Sequence, residues 1–349
     1  MIEKSVLIVG NFLSHRTGAQ GVCEDLASHL ADNGWRIHAT SLKAGRVAKL
    51  LDMVATAWRE RNHYGVAQID VYSGPAFIWA EAAGWTLRRV RKPFVLTLHG
   101  GNLPNFARNW PRRVARLLRS ASIVTSPSRY LLEQMRPYRA DIRLLPNPLD
   151  LTNYTFQPGE LDSRQLIWLR AFHSIYNPAM APRVVARLKK DFPELRLTMI
   201  GPDKGDGSLQ ETQRVAVELG VTNEIKFVGG VPKPQVPATL RQGGVLLNTT
   251  NEDNTPISVM EAMASGLCVV STNVGGLPYL LADGEDALLV PPNDDAAMAT
   301  ALRRILVDAS FAQHLAANAR RKVERFDWPA ILPQWEEIFR SLLQTQLRG

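Results

Sequence analysis

Apolar positions along this chain follow two alternating rhythms. Short apolar, β-rich runs stand at residues 5–10, 36–40, 69–72, 94–98, 122–125 and 142–145, and again at 165–169, 197–200, 224–228, 245–248 and 268–272. Between them lie stretches with apolar residues at helical spacing, at 20–33, 111–121, 179–191, 209–220 and 234–241. A strand sends successive side chains to opposite faces, while a helix returns to one face every three to four residues. Buried runs separated by amphipathic stretches therefore predict an α/β chain of parallel strands and crossover helices. Both rhythms lapse between Pro146-Asn147-Pro148 and Pro158-Gly159, which marks a join. Two Rossmann-like domains are expected, residues 1–157 and 158–330, facing each other across a cleft. In the closing stretch, 331–349, Trp335, Ile338, Phe339 and Leu342 share one helix face. That stripe needs a docking surface, expected on the first domain.

Composition narrows the class. At 349 residues, 45% hydrophobic and 21% charged, the chain has a globular balance and more length than one ordinary core organises. No apolar run approaches the roughly 18 residues of a membrane span. The first strand follows Met1-Ile2-Glu3-Lys4 with neither an apolar leader nor a small-residue cleavage site, so a cytoplasmic location is expected. Cys23 and Cys268 fall in different domains and make neither a disulfide framework nor a zinc site.

The net charge of +8 is local. Residues 82–132 contain ten Lys or Arg and no Asp or Glu; the rest of the chain has 31 basic and 33 acidic residues. Within this region Val114, Leu117, Leu118 and Ala121 share a helix face, with Arg112, Arg113, Arg116 and Arg119 on the others. A solvated surface helix is one reading. The sharper one is a surface for anionic lipid or a phosphate-bearing acceptor, peripheral at the inner face of the plasma membrane. Nucleic acid is not expected, because aromatic residues do not interleave with the basic ones.

The densest chemistry lies in Asp253-Asn254-Thr255-Pro256-Ile257-Ser258-Val259-Met260-Glu261, ending at Ser265-Gly266. Thr255 reads as an N-cap, Pro256 as the first helical residue, and Gly266 as the left-handed stop. Two carboxylates then flank a helix N-terminus whose free amides attract anions. Capping chemistry alone also accounts for carboxylates near a helix start. A phosphate between two hydroxyl-binding carboxylates is the functional reading, and it describes a nucleotide sugar.

Further motifs stand in order along the chain. They are the Gly loop of 10–21, Leu98-His99-Gly100, Leu145-Pro146-Asn147, Leu169-Arg170, Ile200-Gly201, Asp253 to Gly266, Val269 to Gly276, Asp286-Ala287-Leu288-Leu289-Val290-Pro291-Pro292 and Phe326-Asp327-Trp328. With these the chain resembles the family-4 retaining glycosyltransferases of the GT-B fold over nearly its whole length. The resemblance implies a C-terminal helix that crosses back to the N-terminal domain. It assigns Glu261 to the donor ribose, Asp253 to hydroxyls of the transferred sugar, and Arg170 to the departing diphosphate. The amides of Ile257 and Ser258 would face that diphosphate, Gly18 would allow close backbone approach, and His99 would lie against the donor sugar. Asp253 stands where the family usually has Glu. Ile175 stands where it has a lysine, and Lys204 or Lys233 is expected to supply the missing cation from another loop. No metal or other cofactor is implied.

The resulting expectation is a retaining, metal-independent hexosyl transferase. It would move sugar from a UDP-sugar to the hydroxyl of a glycan or lipid-linked acceptor, in bacterial envelope polysaccharide or glycolipid assembly. A non-catalytic nucleotide-sugar-binding protein and a sugar-nucleotide epimerase are the alternatives on the same fold. A nicotinamide-dependent dehydrogenase is disfavoured. Its Gly-x-Gly-x-x-Gly turn is absent after Gly10, and Ala39-Thr40-Ser41 offers no acidic residue at the end of the second strand.

Overall fold

A computed structural model describes residues 4–12, 21–43, 45–156 and 162–348. The chain divides into two compact units, Met1–Pro148 with Trp328–Gly349, and Leu149–Asp327.

The first unit is built on strands β1 (Ser5–Val9), β2 (Arg36–Thr40), β3 (Val66–Val71), β4 (Phe94–Leu98), β5 (Ile123–Ser126) and β6 (Arg143–Leu144). They pair in parallel in the order β2-β1-β3-β4-β5-β6. Alternation along β1 shows how the sheet is covered. Leu7 and Val9 join Ile69, Leu96, Phe77 and Leu117 in one core, while Val6 and Ile8 join Val66, Val95 and Leu30 in another. With both faces buried, the central strands read as continuous apolar runs. The C-terminal helix Trp328–Arg348 covers the second face. Trp335, Ile338, Phe339 and Leu342 are all buried in that core, and Trp328 stacks on His29 at 3.8 Å. The expected docking on the first unit is what the structure shows.

The second unit contains β7 (Gln165–Leu169), β8 (Arg196–Ile200), β9 (Ile225–Gly229), β10 (Val245–Asn248), β11 (Cys268–Thr272) and β12 (Leu288–Val290). Its parallel order is β12-β11-β10-β7-β8-β9. Trp168, Val184, Leu197, Leu247 and Leu302 fill one face of this sheet; Ile167, Leu246, Val259 and Met263 fill the other.

Three details differ from the sequence reading. The units divide at Pro148 and Asp327 rather than at 157 and 330. Leu149, Leu151 and Tyr154 are the reason: they pack with Val259, Met260 and Met263, and the Leu149 amide bonds the Phe326 carbonyl at 2.8 Å. Second, Pro256 rather than Thr255 occupies the N-cap of helix Ile257–Ser265, and the Thr255 hydroxyl is buried without a hydrogen bond among the described residues. Third, helices Arg46–Arg59 and Phe77–Arg89 were not apparent from periodicity. On Phe77–Arg89 the exposed Ile78 and Trp85 blur the contrast between an apolar and a polar face, whereas Arg46–Arg59 keeps that contrast despite exposed Val47, Leu51 and Trp58.

Candidate functional site

In open α/β sheets, ligands bind beyond the carboxyl ends of strands where the strand order reverses. The second unit reverses between β7 and β10. Arg170 follows β7 directly, and the loop after β10 runs to Asp253. These two side chains form an ion pair, and the guanidinium lies 4.6 Å from the Tyr176 ring centroid. Burial pulls Arg170 below its ordinary value, opposed by Tyr176 and Glu261. Its Nε is buried without a hydrogen-bond partner among the described residues.

Packing of the following turn fixes the Asp253 loop. Gly276 donates its amide to the Asp253 carbonyl at 2.9 Å. A Cβ on Gly275 would collide with the Asp253 carbonyl, and one on Gly276 with that of Asn254, so only glycines let the turn press against the loop. Beyond it, the helix Ile257–Ser265 starts with an open end. The first internal bonds come from Val259 and Met260 to the Pro256 carbonyl, leaving the amides of Ile257 and Ser258 ahead of the ladder. Gly266 closes the helix at φ 84°, as its sequence predicts.

Glu261 projects from the second turn and is buried. Its Oε1 accepts a 2.9 Å bond from the Tyr154 hydroxyl. Burial pushes the carboxyl above its ordinary value, opposed by the Tyr154 bond and by the charges of Lys233 and Arg170. Lys233, in the loop after β9, therefore acts on the same carboxylate as Arg170. Lys204, after β8, is exposed, and its backbone amide bonds the Phe172 carbonyl at 3.1 Å. Of the two candidate cations, Lys233 is the one the fold brings to the cluster. Sequence reasoning missed Tyr154, which lies in the aperiodic join and meets Glu261 only through the tertiary fold.

In the first unit the order reverses between β1 and β3. Past the neighbouring β4 stands His99, whose Nε2 lies 3.0 Å from the buried Asp70 Oδ1. Gln68 donates to the same oxygen at 2.8 Å, and Tyr72 stacks on the imidazole at 5.1 Å. An ionised carboxylate there favours the tautomer with hydrogen on Nε2, which leaves Nδ1 as an acceptor. Gly18 lies outside the described residues.

The basic helix Pro111–Ser120 buries Val114, Leu117 and Leu118, as expected. Its arginines are not equivalent. Arg113 grips Glu81 through Nε at 2.8 Å and Nη2 at 2.5 Å and packs over Phe77. Arg112, Arg116 and Arg119 instead line an open groove of about 800 Å³ with Arg88 and Tyr138. Arg88 and Arg119 precede β4 and β5, so this end of the groove lies at the amino edge of the sheet, opposite His99. Among the described residues no helix is long and apolar enough to cross a membrane, and no group of three or more His, Cys, Asp or Glu could hold a metal ion.

Residues 155–322 match the family model for glycosyl transferases group 1, and residues 43–153 match that for glycosyltransferase family 4. The chain belongs to the family-4 glycosyltransferases. This family member is 31% identical over 186 residues to the D-inositol 3-phosphate glycosyltransferase of Corynebacterium efficiens, covering 51% of this chain and 44% of that protein. The protein of the same name from Streptomyces bingchenggensis is 27% identical over 326 residues, 85% of this chain and 70% of that one. The chain spans about half the length of several of these relatives, 44% and 57% for those of C. efficiens and Streptomyces avermitilis. Among solved structures, Anabaena HepE in complex with UDP and glucose superposes with a TM-score of 0.77 at 17% identity, covering 97% of this chain and 100% of that one. Sucrose-phosphate synthase from Thermosynechococcus elongatus gives 0.78 at 19% identity, covering 98% and 99%. These likenesses show the GT-B fold.

Proposed function

We propose that this family-4 glycosyltransferase moves a hexosyl group from a UDP-sugar to an acceptor hydroxyl, with retention at the anomeric carbon and without a metal. The observation that carries this reading is the convergence of Arg170, Asp253, Glu261 and Lys233 on a helix N-terminus at the strand-order reversal. Amides and two cations suit a diphosphate; two carboxylates suit the hydroxyls on either side of it. The UDP complex of HepE and the inositol-phosphate acceptor in the names of the relatives point the same way.

In the proposed reaction the bond from the anomeric carbon to the diphosphate oxygen breaks with oxocarbenium character. The acceptor oxygen bonds to that carbon on the same face, and its proton passes to the departing diphosphate. Arg170, Lys233 and the amides of Ile257 and Ser258 stabilise the charge that develops on the leaving group, the main electrostatic task. Asp253 holds hydroxyls of the sugar and Glu261 those of the ribose. In the free chain Arg170 and Asp253 neutralise each other, so donor binding exchanges that pair for contacts to diphosphate and sugar.

Incubation with UDP-glucose and other UDP-hexoses, with UDP release and glycoside formation followed together, tests the reading. Wild-type turnover that Glu261→Ala abolishes supports it. UDP-sugar binding with neither hydrolysis nor transfer would favour the non-catalytic alternative. We further propose that the groove of Arg88, Arg112, Arg116 and Arg119 rests on anionic lipid, which suits a lipid-linked acceptor in envelope assembly. Equal co-sedimentation with anionic and neutral vesicles would remove that part.

A further inference from the structure

Val47, Leu51, Trp58, Ile78 and Trp85 of the first unit are large apolar side chains that are between 46% and 71% exposed. They are not scattered. At about 100° per residue, Val47, Leu51 and Trp58 fall within about 40° of one another on helix Arg46–Arg59. Met53 and Ala57 turn inward to the core, and the buried Lys49 bonds Asn11. On helix Phe77–Arg89, Ile78, Ala82, Trp85 and Arg89 stand at i, i+4, i+7 and i+11, while Phe77, Ala80 and Leu87 fill the core. The two helices pack side by side on one face of the sheet, and the basic helix Pro111–Ser120 comes next in that layer. Their outward sides form one surface.

Positive charge gathers at one end of this layer. All three helices run against the parallel strands and end at the amino edge of the sheet, before β3, β4 and β5. Arg59, Arg61, Arg88, Arg89 and Arg119 stand there. Arg61 covers the Trp58 ring at 5.2 Å, and Arg89 covers the Trp85 ring at 5.1 Å. The carboxylates on and beside these helices are engaged. Asp52 accepts from the Thr40 hydroxyl, Glu60 pairs with His63, and Glu81 is gripped by Arg113. The helix dipole alone accounts for arginines at helix C-termini. It does not account for Trp, Leu and Val side chains facing water beside them. Scattered apolar residues are ordinary at a surface, but a clustered set marks an interaction site.

We propose that the outward face of helices Arg46–Arg59 and Phe77–Arg89 inserts into the interface of an anionic bilayer. Val47, Leu51 and Ile78 reach the upper acyl chains, Trp58 and Trp85 lie at headgroup depth, and the arginines bind lipid phosphates. Charge decides the occupant. A second copy docked on the same face would bring arginine against arginine, whereas anionic lipid offers an apolar layer and the counter-charge together. The proposal deepens the lipid reading of the arginine groove by adding an apolar anchor, and it needs neither donor nor acceptor. Salt screens attraction between charges but not the burial of apolar surface, so ionic strength separates the two parts.

Co-sedimentation of the full chain with phosphatidylglycerol–phosphatidylcholine vesicles, in about 0.1 M and about 0.5 M salt, tests this together with tryptophan quenching by chain-brominated lipid. Wild type is expected to bind at both ionic strengths and to be quenched. Val47→Ser/Leu51→Ser/Ile78→Ser should lower the salt-resistant partitioning about tenfold or more; these side chains are exposed, so the variant should fold as wild type does. Trp58→Phe/Trp85→Phe should still sediment with vesicles yet lose most of the quenching. Arg112→Ser/Arg116→Ser/Arg119→Ser should weaken binding at low salt and keep the quenching. Wild-type binding confined to low salt, or quenching that survives Trp58→Phe/Trp85→Phe, would overturn the anchor and leave the groove reading standing. Salt-resistant binding unchanged in the apolar-to-serine variant would overturn it too, as would a wild-type dimer in sedimentation velocity that the same variant dissociates. Low-salt binding undiminished in the arginine variant would instead remove the groove reading and leave the anchor.

Discussion

Glu261→Gln is expected to make the protein more stable and a poorer nucleotide binder at once. The wild-type carboxylate is buried, with its carboxyl raised by desolvation despite Tyr154, Lys233 and Arg170. Glutamine keeps the shape and can still accept the 2.9 Å bond from Tyr154. It removes the buried charge, while Arg170 keeps Asp253 as its ion-pair partner. Replacing a buried ion by a neutral group of equal size should yield about 1 kcal/mol at neutral pH, or about 2–4 °C in unfolding temperature. The pH dependence carries a definite sign. Because the folded-state value lies above the unfolded one, the native state holds more protons between the two, and wild-type stability falls as pH rises through that window. The advantage of glutamine should thus be absent in acid below the unfolded value, grow as pH rises, and level off above the folded value. Lost charge-assisted bonds to ribose hydroxyls should meanwhile weaken UDP binding about 10- to 100-fold. Thermal scans from pH 4 to pH 8 and UDP titration measure both effects. A glutamine variant less stable at pH 8, or a stability difference that does not shrink in acid, would refute the burial argument. Unchanged UDP affinity would refute the ribose assignment.

Tyr154→Phe leaves Glu261 Oε1 without its donor and should cost about 1–3 kcal/mol in chemical denaturation; a loss below a few tenths would mean that water replaces the hydroxyl. Lys233→Ala should lower donor turnover about tenfold or more and Lys204→Ala should leave it near wild type, because only Lys233 acts on the buried cluster. The reverse ranking would move the missing cation to the loop after β8. Asp253→Asn frees Arg170 from its ion pair and should strengthen binding of UDP alone while reducing sugar transfer; weaker UDP binding would show that the pair positions Arg170 rather than competing with phosphate. Asp70→Ala should release the Nε2–H tautomer of His99, visible in imidazole nitrogen shifts, and lower kcat more than it raises KM. Unchanged nitrogen shifts would remove Asp70 as the positioning residue.

Much of this architecture was legible from local patterns. Parallel strands buried on both faces must read as apolar runs, which is why β4, β7 and β10 appear in the sequence with the bounds they have in space. The stripe of Trp335, Ile338, Phe339 and Leu342 announced a helix with a surface to cover, and Gly266 announced a helix stop. Where an amphipathic face is blurred, as in Phe77–Arg89 with its exposed Ile78 and Trp85, the period fades and the helix is missed. Caps are subtler still. Thr255 had the right chemistry for one, but the Gly275-Gly276 turn fixes the loop before the helix, and Pro256 takes the position.

The sequence by itself determined the kinds of chemistry present: carboxylates beside a helix start, an arginine ending a strand, a histidine ending another, and a local excess of arginine. Which of these groups act on one another was decided only by the tertiary structure. Arg170 meets Asp253 because β7 and β10 are neighbours in space though far apart in the chain. Tyr154 meets Glu261 because the segment after the join packs into the second core, and Arg113 turns away from its helix neighbours to hold Glu81. Lys49 shows the difference most plainly. In the sequence it is one more basic residue between two strands. Burial makes it a charge in need of a partner, because the energy of an ion depends on the water and counter-charges around it, and these are set by the fold.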